Sequence, residues 1–191
     1  MGRPSNRAQR RAELTAAFAR VLAERGYAGA TIAAVGDAAG VAPGLVHHHF
    51  ADKEDLLESL LQDLIARFRH RIQTLEADAP PLDAYALAAV GLDDSSDIVA
   101  ARCWVGLLAE AVRSPSLFAR VRRLVDTEID RIRRRSGDRF TAKEAGAVLA
   151  FVMGSLVLGA FAPRTTTGFA APALSLLINE MRRQHDAVGE P

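Results

Sequence analysis

From Ala145 to Ala162 the chain reads AGAVLAFVMGSLVLGAFA without one charged residue, and any fold it adopts must hide that segment from water. A helix that is apolar all round is either wrapped by protein or set in lipid. The segment is rich in Ala and Gly, lacks flanks crowded with Lys or Arg, and is the only one of its kind in the chain. The expectation is therefore a core helix in a protein without membrane contact. One face would meet the core, while Gly154, Ser155 and Gly159 would let a second subunit approach closely on another.

The rest of the pattern is helical too. No run alternates with period two, and Ala, Leu, Arg and Glu dominate. The fold class expected is all-α. With 191 residues, 49% hydrophobic and 25% charged, the chain has globular composition and enough length for one large or two small units. Leu14, Phe18, Val21 and Leu22 mark a first helix from about Arg7 to Glu24, stopped by Gly26. Thr31 suits the N-cap of a short second helix ending at Ala39-Gly40, and Pro43 the first turn of a third, from Ala42 to His49. Asp52, with Asp55 three residues on, caps a long fourth helix to about Ala77, which buries Leu56, Leu57, Leu60, Leu61, Leu64 and Phe68. Pro80-Pro81 breaks the chain. Beyond it come helices over about 83–92, 98–113 and 115–135, with an acidic loop at Asp93-Asp94-Ser95-Ser96. A helix opened by the capping box Thr141-Ala142-Lys143-Glu144 and a last one from Pro172 to about Gln184 follow; the last carries Leu174, Leu177, Ile178 and Met181 on one face.

The single cysteine, Cys103, excludes an internal disulfide and a Cys-rich zinc site, and MGRPSNRAQRR has no apolar signal run. A cytoplasmic location is expected. Lys and Arg number 24 against 23 Asp and Glu, so no global field drives nucleic-acid binding and any such contact needs a local patch. The three consecutive histidines His47, His48 and His49 turn about 100° apart on a helix and cannot converge on one ion. No metal and no cofactor is expected.

A helix, a tight Gly turn and a second short helix form the unit that can place an exposed helix in the DNA major groove. Its flank is basic: Arg3, Arg7, Arg10 and Arg11. The run TIAAVGDAAGVAPGLVHHHFADKEDLL, Thr31 to Leu57, resembles the DNA-binding domain of the TetR family of bacterial transcriptional regulators. The positions that carry the resemblance are Thr31, Ala39-Gly40-Val41, Ala42, Gly44, His47-His48-His49-Phe50 and Lys53, and it covers most of the first 60 residues. It implies that residues 1–51 form a three-helix helix-turn-helix domain and residues 52–191 a larger helical domain for ligand binding and dimerisation. It further implies that Thr31, His47 and Lys53 touch phosphates, while Pro43, Gly44, Leu45 and His48 face base edges. Ala42 stands where a Ser would cap the third helix and meet the DNA backbone, His47 replaces a phosphate-facing Tyr, and Gly36 replaces an Ala at a cost of about 1 kcal/mol.

The same resemblance implies a homodimer whose last two helices pair with their symmetry mates, through Leu156, Gly159, Leu174, Leu177, Ile178 and Met181. Its partners would be a palindromic double-stranded DNA operator and an apolar or amphipathic effector that releases it, making the chain most often a repressor. Between the fourth helix and the apolar one, Phe68, Cys103, Trp104, Leu107, Leu108, Phe118, Val121, Phe151 and Met153 would line the effector cavity, with Arg102, Glu110 or His70 as polar anchors. The competing reading is that these residues are core. Two alternatives from other classes remain. An all-helical enzyme or ligand binder would need a nucleophile motif, a phosphate loop or paired-His metal spacing, none of which the chain carries. A membrane-attached sensor would use the apolar helix.

Overall fold

The computed structural model describes residues 6–90 and 95–188. Those residues form nine helices and no strand: α1 (Asn6–Gly29), α2 (Ile32–Ala39), α3 (Pro43–His49), α4 (Lys53–Leu75), α5 (Pro81–Val90), α6 (Ser95–Ala111), α7 (Pro115–Arg135), α8 (Ala142–Phe161) and α9 (Pro163–Val188).

Local chemistry sets most of the boundaries. Gly26 takes φ 68°, a left-handed conformation, and interrupts α1 before a last turn to Gly29. The Thr31 hydroxyl accepts the Ala34 N–H at 3.2 Å and starts α2. Asp52 accepts the Asp55 N–H at 2.8 Å and starts α4. At α8 the capping box is complete: the Thr141 N–H donates to the Glu144 carboxylate at 2.7 Å, and the Glu144 N–H donates to the Thr141 hydroxyl at 3.3 Å.

Three expected boundaries move. The last helix begins at Pro163, not Pro172, so that Pro172 lies inside it. A proline there removes one backbone hydrogen bond, but Ala170 and Leu174, on either side, are both fully buried and packing carries the helix through. Helix α5 starts at Pro81, and α6 already at Ser95, where a loop was expected. Asp93 and Asp94 of that loop lie outside the described residues.

Two cores share α4. The first joins Leu14, Phe18 and Leu22 of α1 to Val35, Val46, Leu56, Leu57 and Leu60, and draws in Cys103, Leu107 and Leu117 from α6 and α7. The second joins Ile72 to Tyr85 of α5, Ile132 of α7, Val148 and Val152 of α8, and Leu174 and Ile178 of α9. Helix α8 is long and apolar enough to cross a membrane by length and composition; it packs against α5, α6, α7 and α9. Its neighbours cover several sides, but Leu158 and Phe161 stay exposed, so contacts within the chain account for only part of its lack of charge.

Candidate nucleic-acid interface and apolar cavity

The turn between α2 and α3 is tight. Gly40 ends α2 at φ 68°, its N–H donating to the Asp37 carbonyl at 3.2 Å, and the Val41 N–H donates to the Gly36 carbonyl at 2.9 Å. A Cβ on Gly36 would lie 2.8 Å from the Val41 carbonyl oxygen, closer than real contacts allow. Gly36 is therefore required by the close approach of the turn, which corrects the reading of it as a simple helix-propensity loss.

Pro43 occupies the first turn of α3, and Ala42 at its N-cap offers no side-chain bond. Val46 is fully buried and pins the helix on the first core. Ala42, Pro43, Gly44, His47 and His48 are exposed, as is Thr31, and Leu45 is half-buried. A Cβ on Gly44 would meet open space, so nothing within the chain demands its bareness. The expected base-facing and phosphate-facing side chains of α3 thus share the outer side of a helix braced from beneath.

The bracing uses much of the basic flank. Arg11 donates to the His49 carbonyl, pairs with Asp55 at 3.3 Å and lies 4.0 Å over the Phe50 ring. Asp55 also accepts the Ala51 N–H at 3.1 Å. Arg10 pairs with Glu13 at 2.6 Å, and Arg3 lies outside the described residues. His49 stands edge-on to His48 at 5.1 Å, and burial, then His48 and the nearby arginines, hold its pKa below the usual imidazole value. Lys53 differs from expectation. Its ammonium donates to the Tyr27 carbonyl near the end of α1 and sits 3.8 Å from the Tyr27 ring centroid, and burial lowers its pKa. It is half-buried and engaged by its own chain.

A cavity of about 400 Å³ lies between α4, α5, α6, α7 and α8. Of the expected lining, Phe68, Trp104, Leu108, Val121 and Met153 are there. The others are elsewhere. Cys103 and Leu107 belong to the first core, the Cys103 thiol donating to the Ala19 carbonyl at 3.3 Å, and burial raises that thiol to about 12. Phe118 is exposed, and Phe151 packs on the second core outside the cavity wall. Arg102 is exposed and donates to the Ala160 carbonyl at 3.4 Å; His70 and Glu110 also lie outside the lining. The polar groups actually present are Arg67, Arg71, Tyr85 and Glu128. Arg67 and Arg71 flank Phe68 at helical spacing, which could have been read from sequence; the presence of Tyr85 depends on how α5 docks.

The expected dimer face also shifts. Leu174 and Ile178 are fully buried in the second core, Gly159 is buried, and Leu156 lines the cavity. Leu177 and Met181 are half-buried. The outward apolar side chains of α8 and α9 are instead Val157, Leu158, Phe161, Phe169 and Leu176, from 38% to 78% exposed.

Residues 14–60 match the family model described as bacterial regulatory proteins of the tetR family. The chain is also 31% identical over 160 residues to the HTH-type transcriptional regulator BetI of Escherichia coli O45:K1, an alignment covering 79% of this chain and 82% of that one. The chain belongs to the TetR family. Among solved structures, a transcriptional regulator from Rhodococcus sp. Rha1 superposes with a TM-score of 0.78 at 25% identity, covering 91% of this chain and 96% of that one. A regulator from Saccharomonospora viridis, solved in complex with choline, has the same fold with a TM-score of 0.68 at 20% identity, covering 90% of this chain and 96% of that one. As a TetR-family member the chain is a DNA-binding transcriptional regulator with a ligand-binding domain, and its named relatives are regulators, not enzymes.

Proposed function

We propose that this TetR-family regulator binds a palindromic operator as a homodimer, represses transcription from it, and is released when a small apolar or amphipathic effector fills the cavity. Residues 1–51 form the DNA-reading head and 52–191 the regulatory body. The observation that carries the reading is the outer side of α3: Pro43, Gly44, His47 and His48 stand exposed around a buried Val46. Pro43, Gly44, Leu45 and His48 face base edges; Thr31, Ala42 and His47 lie against the phosphate backbone. Bare Gly44 lets the DNA approach the α3 backbone. Lys53, already holding the end of α1, braces the head.

Two heads held about 34 Å apart read successive major grooves, which a single short helix cannot do with useful discrimination. The pairing surface is the outward side of α8 and α9, with Leu158, Phe161 and Leu176 at its centre and Leu177 and Met181 at its edge. The effector acts through α4, which lines the cavity with Leu64, Ile65 and Phe68 and carries Leu56, Leu57 and Leu60 in the core of the head. That a regulator of the same fold is solved in complex with choline supports small-molecule binding in this architecture. A coupling of about 1–3 kcal/mol would weaken operator binding by roughly 5- to 150-fold.

Gel-shift titration on the promoter beside the chain's own gene tests the reading. Saturable binding is expected, with log affinity falling linearly as log salt rises. His48→Ala should relax sequence preference, and His47→Ala should weaken binding about equally for every duplex. Equal binding of every duplex offered, by wild type and His48→Ala alike, would refute it.

A further inference from the structure

Resting on the assignment of the cavity as the effector site, we infer that it selects a neutral, largely apolar molecule and disfavours both cationic and anionic ones. Most of the wall is hydrocarbon and aromatic, including Leu124, Leu149, Val152 and Trp104. The few charged groups on it are already committed within the chain. Arg67 pairs with Asp63 at 2.6 Å. Arg71 donates to the Ala88 carbonyl at 3.1 Å. Glu128 pairs with Arg131, one turn along the same helix.

A cation would enter a space bordered by Arg67 and Arg71, and the single carboxylate there already serves Arg131. Two of the three aromatic rings on the wall, Tyr85 and Phe68, are already engaged, which leaves Trp104. Tyr85 has the Arg135 guanidinium 5.9 Å from its ring centroid, and Phe68 packs against it edge-on at 5.5 Å. An anion would compete with Asp63 for Arg67 and with the Ala88 carbonyl for Arg71, and would share the cavity with Glu128. Either charge gives up its hydration for partners that are already engaged. A neutral molecule gains in proportion to the apolar area it buries and disturbs none of these pairs. Burial, and then Glu128, also raise the Tyr85 phenol well above its ordinary value; Tyr85 stays uncharged, its O–H directed to Glu128 and its oxygen left to accept from a neutral hydroxyl.

Trp104, the chain's single tryptophan, lines the cavity and reports on its contents. The probes are 1-decanol, decanoate and decyltrimethylammonium, one tail with three head-group charges, each titrated below its micelle concentration at pH 7.5 while Trp104 emission is followed. Decanol is expected to bind at least tenfold more tightly than either charged congener. Equal or tighter binding of a charged congener, or no response to decanol up to its solubility limit, would overturn the inference. Val121→Phe and Leu124→Phe, each checked for its helical melt, fill the cavity and should abolish the decanol response; retained binding in both folded variants would place decanol elsewhere and also overturn it. Should either variant fail to fold, the head-group series on the wild type still decides. Operator binding is measured alongside. Decanol bound with operator affinity unchanged would remove the effector role while leaving the ligand class standing. A charged congener that binds tightly and releases the operator would do the reverse.

Discussion

Individual residues show how few atoms decide a local structure. Glu144 accepts from the Thr141 backbone and hydroxyl and reaches His185 on α9 at 2.9 Å, so one carboxylate both opens α8 and ties it to the end of the last helix. The Thr141 backbone bond, then its hydroxyl, hold the Glu144 pKa below its ordinary 4.5. A carboxyl with a depressed folded pKa contributes stability present above the unfolded value and lost as pH falls through the folded one. Thermal melts should therefore show wild type losing more stability than Glu144→Gln as pH is lowered from 5 toward 3; parallel pH profiles would show that the box carries no charge-dependent stability. The motif was legible in four consecutive letters because capping is local. The His185 contact was not, since it joins residues 41 apart.

Among elements, α2 and α3 form a unit whose geometry depends on Gly36. Adding a Cβ there forces the Val41 carbonyl away, so Gly36→Ala should destabilise the head although alanine is the better helix former. A loss of about 1–3 kcal/mol is expected, in the range of overpacking a tight site, read as a lower denaturation midpoint. An unchanged or higher midpoint would show that the turn relaxes freely. Lys53 makes the complementary case at the start of α4. With its ammonium on the Tyr27 carbonyl, Lys53→Ala should lower stability by about 1 kcal/mol, discounted for partial exposure, and leave the salt slope of operator binding unchanged. Flattening of that slope by about one would return Lys53 to a phosphate. The start of each of these elements was readable from Thr31, Pro43 and Asp52, whereas the partner of a long side chain was not, because a flexible stem reaches whatever the fold brings near.

For the whole molecule, the prediction concerns pairing. The monomer leaves Leu158, Phe161 and Leu176 uncovered, and Leu176→Glu should place charge in the paired face. Sedimentation equilibrium should then show the variant as monomer at concentrations where wild type is dimer, with weakened operator binding and an unaltered helical melt. A dimer unaffected by this change would move the interface to another surface. Helical periodicity put Leu174 and Ile178 on one face of the same helix and the family resemblance implied that this face pairs, but the fold buries both residues within the subunit. A single stripe cannot tell which of two apolar neighbours it meets. The same ambiguity explains the cavity: Cys103, Trp104, Leu107 and Leu108 are close in one helix, yet Cys103 and Leu107 turn into the core of the head while Trp104 and Leu108 turn into the cavity. What the sequence determined alone was whatever short-range physics controls: helical class, most helix ends, the tight turn and the exposed short helix that follows it. Tertiary structure decided which stripe faces core, cavity or partner, because that choice depends on how helices distant in the chain stack, and hydrophobicity by itself carries no address.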